Sequence, residues 1–401
     1  MKNIRLRLSL AQAASGAIGG ASVPFFGAWL AYKGLSPQEI GTLLAAGMLL
    51  RLFVLPATGI IADARNDRRG MMLFLGLVMT ASFAALTRVS LPLLIFLAAV
   101  PANLATGAAN PLLESVSVRI AHRFGFDYGH VRVWASATFV AGNILSGVAV
   151  SAFGLWVIAL WLFVAGVLNA LAAYALPRAP ANVETRDLGI RLRATLGEAR
   201  ELMRSPVFLV FLAAASLDQG SHAFFYGYGG LHWKELGYPG WLIGIIAPLG
   251  VVAEVVFMSI SLRIFRAFGS VRLLMLGGAA CVIRWTILAF DPPLPLVIFA
   301  QILHGGTFAL AHLGAMYFIL KAVPHRLSAT AQSLYSLCSG GLAMGLATYA
   351  SGPLYASFGG RTYLLMTAMG LGSLAFSFLL ARVWQGTPIT EHGPEEELVA
   401  I

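Results

Sequence analysis

Apolar stretches of roughly twenty residues recur about twelve times along this chain, each long enough to cross a bilayer as a helix. They fall near 8–31, 39–62, 71–88, 92–118, 131–152, 155–176, 206–233, 240–262, 271–290, 294–320, 329–355 and 361–384. Composition agrees with this reading: 58% of the residues are hydrophobic and 11% are charged. Soluble globular chains sit nearer 45–50% apolar and about 25% charged. The sequence therefore predicts an all-α integral membrane protein with twelve transmembrane helices.

The net charge of +10 could suggest a nucleic-acid partner, so the placement of the charge decides. When the loops are read in alternation, one side carries 21 Lys and Arg, the other carries four (Lys33, Arg88, Lys234 and Arg361), and Arg51 and Arg284 lie inside apolar runs. That asymmetry is the positive-inside pattern and places both termini in the cytoplasm. It accounts for the basic surplus without any nucleic acid. Lys2, Arg5 and Arg7 before an apolar run resemble a signal-peptide start, yet the run continues to about Ala31 and reads as a retained first span. Cys281 and Cys338 both fall inside predicted spans, so no disulfide framework is expected.

The longest polar stretch, 178–205, separates an N-terminal set of six spans (1–177) from a C-terminal set of six (206–384), with a solvated tail at 385–401. Leucines at 192, 196 and 202 suit a short amphipathic helix on the membrane surface within that linker. The two sets echo each other: Gly34, Gly41 and Gly47 recur as Gly237, Gly244 and Gly250, all displaced by 203 positions, and at that displacement Arg51 corresponds to Glu254. Two pseudo-symmetric six-helix bundles follow, with a site expected where they meet near mid-membrane.

Glu254 and Arg284 each stand alone inside an apolar run, and 294–320 carries His304 and His312 together with Gln301 and Thr307. Positions eight apart on a helix differ by only about 80°, so the two histidines share a stripe. Ionisable groups at that depth face a bundle interior or a watery cavity. They serve either as polar pairs holding helices together or as a proton and substrate site. Asp218, His222 and Tyr226 recur at one-turn spacing along span seven and are expected to bind the substrate, with Tyr226 a candidate for stacking on a ring. Trp29 and Trp233, at span ends, read as interfacial anchors. Asn103, Asn110 and Asn143 either line a cavity or join helices.

The loop after span two holds Gly59, Asp63, Arg65, Arg68 and Arg69 at a spacing that resembles the loop signature of the major facilitator superfamily. Asn66 stands where that signature has a second glycine, and Asn tolerates a left-handed backbone. Ala64 replaces the usual Arg. Further stretches, at 127–134, 219–228, 250–254, 284–285 and 301–316, resemble the 3-phenylpropionate permeases within the proton symporters that include lactose permease. The resemblance implies a major facilitator fold, a gating role for the loop, and substrate contacts at Glu114 and Arg132. It also implies proton coupling at Glu254, Arg284 and His304, with Arg284 and His304 touching the substrate as well. Thr307 takes the place of a carboxylate found in lactose permease, which shifts the principal proton carrier to Glu254. A carboxylate taken out of water can hold a proton near neutral pH, and histidine titrates in the same range.

Among the other classes, an enzyme is disfavoured by the absence of a G-x-S-x-G elbow, an H-E-x-x-H pair or a phosphate loop. The expectation is a monomeric proton symporter in the inner membrane that needs no cofactor or metal. It would import a small organic molecule, preferably an aromatic monocarboxylate such as 3-phenylpropionate. The alternatives are a sugar or nucleoside symporter and a proton-driven drug exporter.

Overall fold

The computed structural model describes residues 2–177 and 188–389, all of whose regular structure is helical. Ten of its helices are long and apolar enough to cross a membrane. In chain order the helices are α1 (Lys2–Tyr32), α2 (Pro37–Ala64), α3 (Arg68–Leu86), α4 (Pro92–Phe124), α5 (Gly129–Phe153) and α6 (Val157–Ala175). After the undescribed part of the linker come α7 (Leu188–Met203), α8 (Pro206–Glu235), α9 (Gly240–Ser259), α10 (Ser261–Leu288) and α11 (Leu294–Ala322). The last long element, His325–Val383, counts as one span by length, yet its backbone breaks at Gly359, where φ is +55°. It therefore comprises α12 (328–358) and α13 (Tyr363–Val383). The predicted runs at 240–262 and 271–290 are confirmed as helix, and Gly269, at φ +74°, breaks α10 near its start. The tail beyond residue 389, with its glutamates, lies outside the described residues, as does 178–187.

Local chemistry explains several helix ends. Ser36 caps α2 while Glu39 reaches back to the Ser36 amide, a reciprocal pair that satisfies two otherwise unbonded donors. Asp67 caps α3 through the Gly70 amide at 2.8 Å. Between these two helices Asn66 adopts φ +50°, the left-handed turn that a short polar side chain permits. Large apolar side chains such as Phe53, Leu93 and Leu320 lie exposed on the outer surface, which suits lipid contact better than water.

α1 packs on α5 and α6, α3 on α4 and α6, and α2 on α4; separately, α10 packs on α11 and α13, and α13 on α8. The two groups meet along three pairs: α2 with α12, α5 with α9, and α1 with α8. Near one end these contacts bring backbone against backbone. A Cβ on Gly230 would lie 1.6 Å from the Pro24 carbonyl oxygen, and one on Gly244 would lie 2.4 Å from that of Asn143. Only glycine allows such approach. In the same region Tyr228 of α8 donates to the Pro37 carbonyl of α2 at 2.7 Å. At the other end the groups separate, leaving a cavity of 550 Å³ between α1, α4, α5 and α9. The linker helix α7 is clamped to the second group, where Arg326 donates twice to Glu201, at 2.9 and 2.5 Å, and Thr330 donates to Glu198. Leu202 of α7 is buried and Leu196 is exposed, as an amphipathic surface helix requires.

Candidate functional site

Arg284 is the centre of the buried polar set. It is 0% exposed, and its guanidinium donates to Gln301 Oε1 at 2.9 Å and Thr307 Oγ1 at 3.2 Å, and lies 2.8 Å from His304 Nδ1. The ring of Trp285 lies 4.2 Å from its Cζ and that of Phe225 lies 5.0 Å away. Among the described residues no carboxylate forms an ion pair with it, and its Nε has no partner. A cation held by neutral acceptors and aromatic faces retains an unanswered charge.

That cation faces a cavity of 210 Å³, whose walls include Phe225, Tyr226, Trp233, Glu254 and His304. His222 adds a second layer, with its Nε2 3.0 Å from Thr307 Oγ1 and its ring stacked on Tyr226 at 5.8 Å. Two irregular turns shape this wall. The backbone of α8 widens into a π-helical turn at Phe225–Gly229, and that of α11 does so at Gly305–Leu310. Single π turns within helices commonly mark functional sites. Here they place the end of the His222–Tyr226 stripe and the start of the His304–Phe308 stripe against each other.

Glu254 of α9 lies between two spaces. Together with Phe139 and Val251 it borders both the 210 Å³ cavity and the 550 Å³ vestibule. No ion pair joins it to Arg284, so these two expected partners share a cavity without touching. Glu114 and Arg132 do pair, at 2.8 Å with their side chains 36% and 45% exposed, in the vestibule wall.

Of the gating-loop residues, Asp63 pairs with Arg68 at 2.7 Å, and Arg68 also donates to Ser115. Arg69 caps the end of α6 by donating to the Tyr174 carbonyl. Arg65 ends α2, and Gly59 has open space where a side chain would be. Asp218 is wholly buried behind the cavity rather than in its wall. His312 stacks on Phe308 and lies tilted against Tyr335, and makes no hydrogen bond to Arg284. Arg51 donates to the Asn103 carbonyl at 3.2 Å, within the first group of helices.

The expected anchors Trp29 and Trp233 are instead buried. Trp29 stacks on Phe26, and Trp233 packs on Phe225 and borders the cavity, because both helix ends lie where the two groups close on each other. Asn143, named from the sequence as lining a cavity or joining helices but given no place in the site, has its amide oxygen buried without a partner in the cavity wall. A lone Asn in an apolar span was the available signal. Gln301, one turn before His304, was visible but received no role.

Comparison with known proteins agrees with this architecture. The MFS_1 like family model matches residues 15–366. A probable 3-phenylpropionic acid transporter of Escherichia coli (strain K12) is 31% identical over 361 residues, covering 88% of this chain and 92% of that protein. The maltose permease of Geobacillus stearothermophilus is 28% identical over 367 residues, covering 90% and 91%. Among solved structures, a mutant of the nucleoside transporter NupG superposes with a TM-score of 0.82 at 16% identity, covering 95% of this chain and all of that one. The chain belongs to the MFS_1 like family and is a membrane transporter, not an enzyme.

Proposed function

We propose that this transporter is a proton symporter that imports a small aromatic monocarboxylate, of which 3-phenylpropionate is the preferred candidate. The observation that carries the proposal is Arg284, a buried guanidinium without an anionic partner, facing a cavity walled by Phe225, Tyr226 and Trp233. A carboxylate in that cavity would supply the missing charge through two-pronged hydrogen bonds, and its ring would meet aromatic faces. The volume of 210 Å³ suits a single-ring molecule.

Taking α1, α12 and α13 as separate crossings, and α7 as a surface helix, gives twelve spans in two sets of six. On the positive-inside rule we read the vestibule end, with its basic surplus, and both termini as cytoplasmic, in which case the molecule would face inward. Alternating access would then rock the two sets about the cavity, opening the glycine-packed end to the outside. Glu254, at the junction of cavity and vestibule, would carry the proton, while His304 helps to position Arg284. Asp63 and Arg68 would hold the gating loop. The set acts as a monomer with no cofactor.

A neutral sugar or nucleoside is the second reading. It is favoured by the Glu114–Arg132 pair in the larger vestibule, since paired charges offer hydrogen bonds to hydroxyls. Uptake into proteoliposomes tests both readings. Labelled 3-phenylpropionate should accumulate when the outside is made acidic and stop when the pH gradient is collapsed. Gradient-independent uptake, or preference for maltose or a nucleoside, would refute the acid-symport reading.

A further inference from the structure

Asp218 has no part in the cavity chemistry described above. It lies on α8 one turn before His222, is 0% exposed, and forms no ion pair among the described residues. Its Oδ1 has no hydrogen-bond partner, and its Oδ2 receives only the Cys281 thiol, at 3.6 Å. A permanently charged carboxylate would be poorly solvated by one weak donor, and an acid at membrane depth is by default a functional group.

This acid is nevertheless connected to the site. Cys281 Sγ also lies 3.3 Å from Ser221 Oγ, which accepts the Trp285 indole N–H at 2.9 Å. The ring of Trp285 lies beneath Arg284. Asp218 thus stands behind the guanidinium whose front faces the cavity. Of the helices packed around it, α10 presents Cys281, α12 presents Tyr335, and α11 brings Ala311 to this level, with His312 beside Tyr335. His222 is the neighbouring base on its own helix. α13 carries its titratable groups, Tyr363 and Arg382, at its two ends. Arg284 is thereby joined to Asp218 through Cys281, Ser221 and Trp285.

We propose that Asp218 is a second proton-binding carboxylate of the transport cycle, taking up a proton when a substrate carboxylate occupies Arg284. The inference rests on the anchoring role given to Arg284 above. With the cavity empty, ionised Asp218 would offset part of the guanidinium's charge through the Cys281–Ser221–Trp285 contacts, without pairing with it. An incoming carboxylate supplies that negative charge from the front, so Asp218 binds a proton drawn from water. The Cys281 thiol then turns from Asp218 Oδ2 to Ser221 Oγ. With the proton on Glu254, two protons would enter per monocarboxylate, moving one net positive charge.

The test uses the full-length purified protein in detergent with a pH-indicator dye and 3-phenylpropionate as the ligand. Wild type should take up protons on binding. Asp218→Asn should take up one fewer per ligand and bind it about tenfold more tightly at the pH where wild type gains that proton, whereas Glu254→Gln should retain that proton. Equal proton uptake by wild type and Asp218→Asn would overturn the proposal. Infrared titration of ligand-free protein provides an independent arm. A carboxylic-acid carbonyl band should grow on acidification in all three proteins, with one component present in wild type and Glu254→Gln and missing in Asp218→Asn. Identical spectra in all three would also overturn the proposal. If no aromatic acid binds, the substrate reading fails while the infrared arm still decides on Asp218. Cys281→Ala keeps the acid, and so tests it even if Asp218→Asn does not fold. It should shift the midpoint of the band, and an unmoved midpoint would remove the thiol relay.

Discussion

Two arginines of this transporter occupy opposite electrostatic situations. Arg132, in the vestibule, already has its anion: Glu114 lies 2.8 Å away, and both side chains are about 40% exposed. Arg284, in the inner cavity, is fully buried and is held by His304, Thr307 and Gln301, none of which brings a negative charge. A solvated pair contributes at most about 1 kcal/mol and exchanges partners readily. A desolvated cation without an anion is costly, and the cost falls when an anionic ligand arrives. The contrast identifies the inner cavity as the place where binding an acid changes the most energy.

The largest effect is expected at Glu254, which borders both spaces. Glu254→Gln should abolish accumulation against a gradient in proteoliposomes while exchange of substrate across the membrane partly survives. A mutant that concentrates substrate as well as wild type would exclude Glu254 as the proton carrier. Next comes Arg284→Lys, which keeps the charge but loses the planar fork. Affinity for the acid should fall on the order of 10- to 100-fold, with little change for the neutral amide of the same ring. Calorimetry on both ligands checks this, and an equal drop for the two would dissolve the contrast drawn above.

Smaller consequences follow from pairs that are already closed. Asp63→Asn removes the partner of Arg68 and should slow transport roughly fivefold with binding nearly unchanged, as expected of a partly exposed ion pair. Equal turnover rates would reduce that loop to a topological marker. The smallest effect is expected for Glu114→Gln, which should change affinity for the acid by less than about fivefold. A greater loss with a sugar or nucleoside than with the acid would reverse the ranking of the two arginines and favour the neutral substrate.

Much of the molecule was legible from residues alone. Runs of apolar residues set the helices, and the loop at Gly59–Arg69 pointed to the family even though Asn66 replaced a glycine. The left-handed turn at Asn66 is the conformation that replacement implied. The isolated charges Glu254 and Arg284 and the histidines His222 and His304 pointed to the candidate site because a charge inside an apolar run has few tolerable places to go. The partners of those charges were not legible. Sequence spacing put Glu254 and Arg284 in one set, yet whether they touch depends on how α9, α10 and α11 pack, and packing gives Arg284 to Gln301 and His304.

Trp29 and Trp233 show the same limit, because a tryptophan at a span end faces lipid or another helix according to what lies beside it. The π turns at Phe225–Gly229 and Gly305–Leu310 rotate the two stripes away from regular helical spacing. Asp218 lies behind the cavity while Tyr226 lines it, although both fall on one stripe. What the sequence determined by itself is the membrane, the helices, the family and the kinds of charge at mid-depth, since these follow from local composition and transfer cost. Only the tertiary structure decided which cation is left without an anion, because that depends on distances between residues far apart in the chain.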